Sequence, residues 1–150
     1  MAYDSRLDTL KHIEQVQKYL KEIMDEIFIR SIRHDRSKLI SPEKEGFDEA
    51  VPKLWNLTYG SPEYLKSLGE MEDILRHHYD ENSHHPQHYE NGVDDMDLLD
   101  IIEMFTDWKA ATLRHRDGNF LVSVEQNKGR FGLSEQLYKI FVNTAKRLNW

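Results

Sequence analysis

A chain of 150 residues with 31% charged and 39% hydrophobic side chains fits one polar-surfaced domain, and we read residues 1–150 as a single unit. The formal net charge of -7, with no long block of Lys or Arg, excludes the basic stripe that duplex nucleic acid requires of its partners. No apolar run approaches a membrane span, and the absence of cysteine excludes a disulfide framework, a thiolate metal site and a cysteine nucleophile.

The N-terminal stretch "MAYDSRLDTLKH" lacks the apolar core of a signal peptide, so a cytoplasmic protein with no membrane partner is expected. From about Asp4 to Ile32, apolar residues recur at Leu7, Leu10, Ile13, Val16, Leu20, Ile23, Ile27 and Phe28, which predicts a long amphipathic helix. "SPEKEGFDEAVPKLW" predicts a second helix, with Ser41 as N-cap, Pro42 at its first position, Phe47, Ala50 and Leu54 inward, and Pro52 ending it early. "GSPEYLKSLGEMEDILRHHYDE" predicts a third, on which Tyr64, Leu68, Met71, Leu75 and His78 share a face.

"NSHHPQHYENG" is a loop by its Asn, Ser, Pro and Gly content. "DDMDLLDIIEMFTDWKAATLRH" predicts a helix with Leu98, Ile101, Ile102, Phe105 and Trp108 inward, and Asp100, Glu103, Asp107 and Arg114 on a polar face. "NFLVSVEQNKGRF" suits either a short helix or a strand. Ser134 caps a last helix with Leu137, Ile140, Phe141, Thr144 and Leu148 inside. The expected fold is an all-α bundle.

Of 8 histidines, five fall between His77 and His88. His12 sits in the apolar phase of the first helix, and His78 ends the apolar stripe of the third. A buried imidazole requires a partner. For each alone, a backbone carbonyl is the ordinary partner. Beside them stands "RHDRSK", where His34 and Asp35 pair imidazole with carboxylate, the two ligand types that divalent ions most often share. Its ordinary reading is a helix C-terminus whose cations meet exposed carbonyls. Asp107 lies among Phe105, Trp108, Ala110 and Ala111, and its ordinary partner would be Lys109 or Arg114. The "HHPQHY" loop also suits a surface histidine cluster. Trp55, Tyr59, Tyr79 and Tyr89 read as packing residues. A single metal site gives the inward histidines, the His–Asp pair and the helical Asp a common explanation.

The order of these elements resembles the HD-domain superfamily of metal-dependent phosphohydrolases, and within it the HD-GYP-like branch. "HDRSK" is similar to that branch's HDxxK stretch. "RHHYDENSHHPQHYENG" is similar to its double His and following Gly-Tyr-Pro loop, with Tyr79 in place of a Glu and His84-His85-Pro86 in place of Gly-Tyr-Pro. "DWKAATLRHR" is similar to the segment carrying the last metal Asp. The loop also resembles that of small phage and bacterial HD-like proteins of unknown function. The likeness runs from His12 to about Arg116.

The resemblance implies His12, His34, Asp35 and Asp107 as ligands of one ion. It implies His78 and His85 for a second ion or the phosphate, with His77 and His84 as their competitors. Lys38 matches the lysine near the scissile phosphate. The implied cofactor is one or two divalent ions (Mn, Fe, Co, Ni or Mg), and the implied substrate is a small nucleotide or cyclic nucleotide. In that reading Asp35 holds the metal and orients the attacking water, and Lys38 offsets charge on the phosphoryl oxygens. The alternatives are a non-catalytic metal- or nucleotide-binding accessory protein and an HD-type di-iron oxygenase. The chain could also self-associate as a homo-oligomer.

Overall fold

Helical periodicity becomes helix nearly everywhere in the computed structural model, which describes residues 3–54, 57, 61–114 and 118–150. Trp55, Tyr59, His115 and Arg116 lie outside the described residues, as do the side chains of Tyr64 and Leu68. The all-α class expected from the sequence is the class observed, with no strand among the described residues. Chain packing separates two units, Met1–His34 and Asp35–Trp150.

The first unit is one helix, α1 (Arg6–Arg33), of 28 residues. At about 1.5 Å per residue it is roughly 42 Å long. Its backbone closes where the His34 N–H donates to Arg30 O at 2.8 Å. None of its residues is buried, and its stripe of Leu7, Leu10, Ile13, Val16 and Leu20 is exposed. The expectation that His12 is buried is therefore not met: a lone helix has nothing of its own to cover one face, and His12 is exposed with the rest.

The second unit opens at Asp35, whose φ of 55° and ψ of 16° lie in the left-handed region. Asp tolerates that region better than most residues, at a cost of about 1–2 kcal/mol. The turn sends the chain into one tight helical turn, Arg36–Leu39. Helix α2 (Glu43–Leu54) begins one residue after Pro42 and runs two past Pro52. The expected third helix is two, α3 (Pro62–Gly69) and α4 (Glu72–Glu81). The break follows Gly69, a residue that costs a helix about 1 kcal/mol relative to Ala.

A loop with single turns at Pro86–His88 and Gly92–Asp95 leads to α5 (Leu98–Thr112). Asp97 and Asp100 close a reciprocal capping box at its start. The ambiguous stretch is helix α6 (Phe120–Phe131), capped by Asn119 Oδ1 accepting from the Val122 N–H at 3.2 Å. Ser134 caps α7 (Glu135–Leu148).

Helices α5, α6 and α7 share one core: Met104, Phe105 and Trp108 meet Phe120, Val124, Leu133, Phe141 and Ala145. Trp150 stacks on Phe105 with centroids 5.5 Å apart. Leu98, Ile140 and Leu148, expected inside, are 63%, 52% and 48% exposed. Ile140 lies at the edge of its stripe, and Leu98 and Leu148 are the first residue of α5 and the last of α7, at the limits of the three-helix core.

Beside this core, α2 packs on α4. Gly46 permits the approach, since a Cβ there would meet Ile74 Cγ1 at 2.6 Å and Cγ2 at 3.0 Å. Ile74 is stiff at its branched carbon, so it cannot simply swing aside. In Gly46→Ala, overpacking of about 1–3 kcal/mol opposes a helix-propensity gain of about 1 kcal/mol. The expected net result is a loss of about 1 kcal/mol, read as a lower urea midpoint with an unchanged m-value.

Candidate metal centre

Glu43 is the first residue of α2 and is fully buried. Its Oε1 accepts from His77 Nδ1 at 2.9 Å, and its Oε2 accepts from His78 Nδ1 at 2.8 Å and from Ser37 Oγ at 2.9 Å. Burial alone would push its carboxyl up. The hydrogen bonds from His77, Ser37 and His78 together outweigh that, and the group ends below the usual carboxylate range. Asn82 Nδ2 donates to Ser37 Oγ at 2.9 Å and to His78 O at 2.7 Å, tying the end of α4 to the Arg36–Leu39 turn.

A carboxylate only accepts, so the bond from His78 Nδ1 puts that ring's proton on Nδ1. In the neutral ring that leaves the lone pair on Nε2, the form that can bind a metal. That atom lies 3.3 Å from Asp35 Oδ1 and 2.9 Å from His85 Nε2. His84 repeats the arrangement: Nδ1 is 3.2 Å from Glu103 Oε1, and Nε2 is 3.6 Å from Asp35 Oδ1. His78 and His84 are both 2% exposed.

Asp35, His78, His84 and His85 thus offer one ligand atom each, all within 4.8 Å of one another. Two ligands about 2.0–2.2 Å from one ion, and about 90–110° apart, stand about 3–3.5 Å from each other. The separations of 2.9, 3.3 and 3.6 Å are close to that span. Carboxylates behind two of the imidazoles supply the outer bonds that orient histidine ligands. The donor set therefore fits a divalent ion. Burial, helped by the neighbouring His84 and His78, drives His85 down to about 3, so it stays neutral and able to ligate at any physiological pH.

Lys38 donates to the other oxygen of Asp35, Oδ2, at 2.6 Å, and its ammonium stands 5.2 Å from the Phe47 ring centroid. Asp35 thus faces the imidazoles with one oxygen and a cation with the other. Asp107, half-buried on α5, bears electrostatically on His85 and shares a cavity of about 620 Å³ with it.

Of the residues singled out in the sequence, Asp35, His78 and His85 come together, with Lys38 and Asp107 beside them. His12 is exposed on α1, in the first unit. His34 closes α1 and is joined to Asp35 by the peptide bond. His84, named only as a competitor, takes a full place. His88 is exposed and holds the loop instead, with Nδ1 2.8 Å from Tyr79 O. Tyr89 is likewise structural: its hydroxyl donates to Asp100 Oδ2 at 2.6 Å, and burial with that bond pushes it up to about 12.

The sequence assigns Glu43 no site role and Glu103 only a place on a polar face, though each carries a signal. Glu43 falls in phase with Phe47, Ala50 and Leu54, an acid at the head of an apolar stripe. Asp100, Glu103 and Asp107 recur at three- and four-residue steps, an acidic face on an otherwise core-forming helix.

An all-α protein with a histidine–carboxylate cluster of ligand spacing is what the fold and the site define. The chain belongs to a family of unknown function (DUF5662), whose model matches residues 1–148. No curated protein and no solved structure matches it.

The carboxylates behind the imidazoles can be tested separately from the ligands. Glu43→Gln and Glu103→Gln should each weaken metal affinity by about 10–100-fold, the usual cost of losing such a partner. Competition against a chromophoric chelator measures it, and unchanged affinity in both variants would remove the orienting role.

Proposed function

We propose that this protein is a metal-dependent phosphohydrolase, cleaving a phosphoester or phosphoanhydride bond of a nucleotide or cyclic nucleotide. The observation that carries the reading is the convergence of Asp35 Oδ1 with three imidazoles, alongside Lys38 on Asp35's second oxygen. Imidazole-rich sets suit Fe, Co, Ni or Zn, and Mg is disfavoured because it prefers oxygen ligands. Three neutral imidazoles and one carboxylate leave a divalent ion with net positive charge, a favourable setting for an anionic ester.

A bound ion would supply polarisation of water and of the phosphoryl oxygen. The remaining work falls to the chain. Glu43 and Glu103 hold the protons of His78 and His84 on Nδ1, which keeps both Nε2 atoms as ligands. Asp35 orients the attacking water through the oxygen it shares with the cluster. Lys38, half-buried and already 2.6 Å from that carboxylate, donates to the phosphoryl oxygens as charge builds on them.

Substitution separates these roles. Asp35→Ala should abolish both metal binding and hydrolysis of nucleoside phosphates. Lys38→Ala should keep the metal and lower turnover by about two to three powers of ten, the size found for losing one preorganised charge stabiliser. Metal content from elemental analysis, with phosphate release under Mn, Co, Fe, Ni and Mg, measures both. Equal metal and equal activity in Asp35→Ala would return the stretch to a mere helix end. Oxygen uptake without phosphate release would instead favour the oxygenase alternative.

A further inference from the structure

The cavity that His85 and Asp107 share is walled on its other side by α6. Asn119, Val122, Ser123, Gln126, Asn127 and Arg130 all line it. They recur at three- and four-residue steps, so they form one face of that helix, about 16 Å long by the helical rise. All but Val122 are polar.

The anomaly is Asn127. It falls in phase with Phe120, Val124 and Phe131, the apolar stripe by which α6 enters the core, and it is 8% exposed. An apolar residue would serve packing better there, because a buried carboxamide has to regain the hydrogen bonds it gives up. Its Nδ2 stands 3.5 Å from Ser123 Oγ, at the long limit of a hydrogen bond. A carboxamide at a core position that faces a cavity is a recognition group more readily than a packing one.

Part of the lining is flat and apolar. Trp108 and Phe131 stack with centroids 5.7 Å apart and planes 8° from parallel, and both line the cavity. The Arg130 guanidinium lies over the outer ring at 4.7 Å. At about 620 Å³ the space is within the range of small-ligand sites.

We infer that this α5–α6 cavity is the specificity pocket for the organic group of the ester, which is a neutral, hydrogen-bonding moiety with one flat or apolar face, of nucleoside or sugar size. Carboxamides match such a group because they both donate and accept. With only Asp107 and Arg130 charged among the lining residues besides the titratable His85 and Tyr79, the pocket is nearly neutral apart from the metal end. The inference rests on the phosphohydrolase reading for the position of the phosphate at His85, but not for the pocket itself.

The test uses the full chain, metal-loaded and metal-free, with wild type, Asn127→Leu and Gln126→Ala compared by isothermal titration. The probes are nucleoside 5′-monophosphates, glucose 6-phosphate, inorganic phosphate, and the unphosphorylated nucleosides and methyl glucoside. Loaded wild type should bind one class of organic monoester at least about tenfold tighter than inorganic phosphate, which is roughly the worth of one or two hydrogen bonds. Both variants should lose that margin while keeping metal content and phosphate affinity. Whether nucleosides or the glucoside carry it identifies the source. An equal margin in the variants, or no margin in loaded wild type, overturns the pocket. If no metal binds but an unphosphorylated probe binds in an Asn127-dependent way, the pocket stands and the phosphohydrolase reading falls. Asn127→Leu replaces a carboxamide by an apolar residue of similar size at a core position, so it should fold. Gln126→Ala, on the exposed flank, guards against its failing to.

Discussion

A carboxylate shut away from water dominates this structure. Stripping an ion of solvent costs several kcal/mol unless charge-assisted hydrogen bonds replace the water. For Glu43 the replacements are His77, His78 and Ser37. Three otherwise separate pieces, the Arg36–Leu39 turn, the head of α2 and the tail of α4, must therefore meet at one point. The same bonds settle which nitrogen of His78 keeps its proton. What looks like a stability problem in α2 is thus the reason that an imidazole lone pair is presented to Asp35. Removing one partner from a buried charged pair commonly costs about 3–5 kcal/mol, so the geometry around Glu43 is strongly enforced.

Helix α5 joins the two halves of the second unit by having two working faces. Met104, Phe105 and Trp108 enter the core shared with α6 and α7. Asp100, Glu103 and Asp107 form an acidic strip along the same helix, at three- and four-residue steps. Asp100 anchors the histidine loop through Ser83 Oγ at 2.7 Å and the Tyr89 hydroxyl at 2.6 Å, and Glu103 holds His84. A rigid helix thus fixes a loop that would otherwise be free to move its imidazoles, and the placement of ligands on supported elements is what a metal site needs. The left-handed Asp35 completes it, with a backbone conformation whose cost is small beside the contacts that hold it.

Much of this was legible in the sequence, because periodicity reports burial directly. The stripes of α2, α4 and α5 gave the helices, and His78 at the end of one stripe gave the strongest site signal. Where periodicity is silent the reading weakened. His84 and His85 sit in a loop, where no phase distinguishes a ligand from a surface imidazole. Glu103 was seen on a polar face, but which partner it met depended on how that loop folds back. His12 shows the opposite error: a residue in an apolar phase is buried only if something covers that face, and α1 forms a unit of its own. The split of the third helix at Gly69 has the same origin, since propensity near a break is decided by packing that a single segment does not contain.

The central claim is that His78, His84, His85 and Asp35 act together as ligands of one divalent ion. X-ray absorption on protein loaded with cobalt or zinc reports it most directly, because imidazole rings give a recognisable outer-shell scattering pattern. Nitrogen and oxygen ligands at about 2.0–2.2 Å, several imidazoles in the outer scattering, and loss of that signal in a His78→Ala, His84→Ala double variant are expected. A spectrum without imidazole scattering, or one unchanged in the double variant, would contradict it.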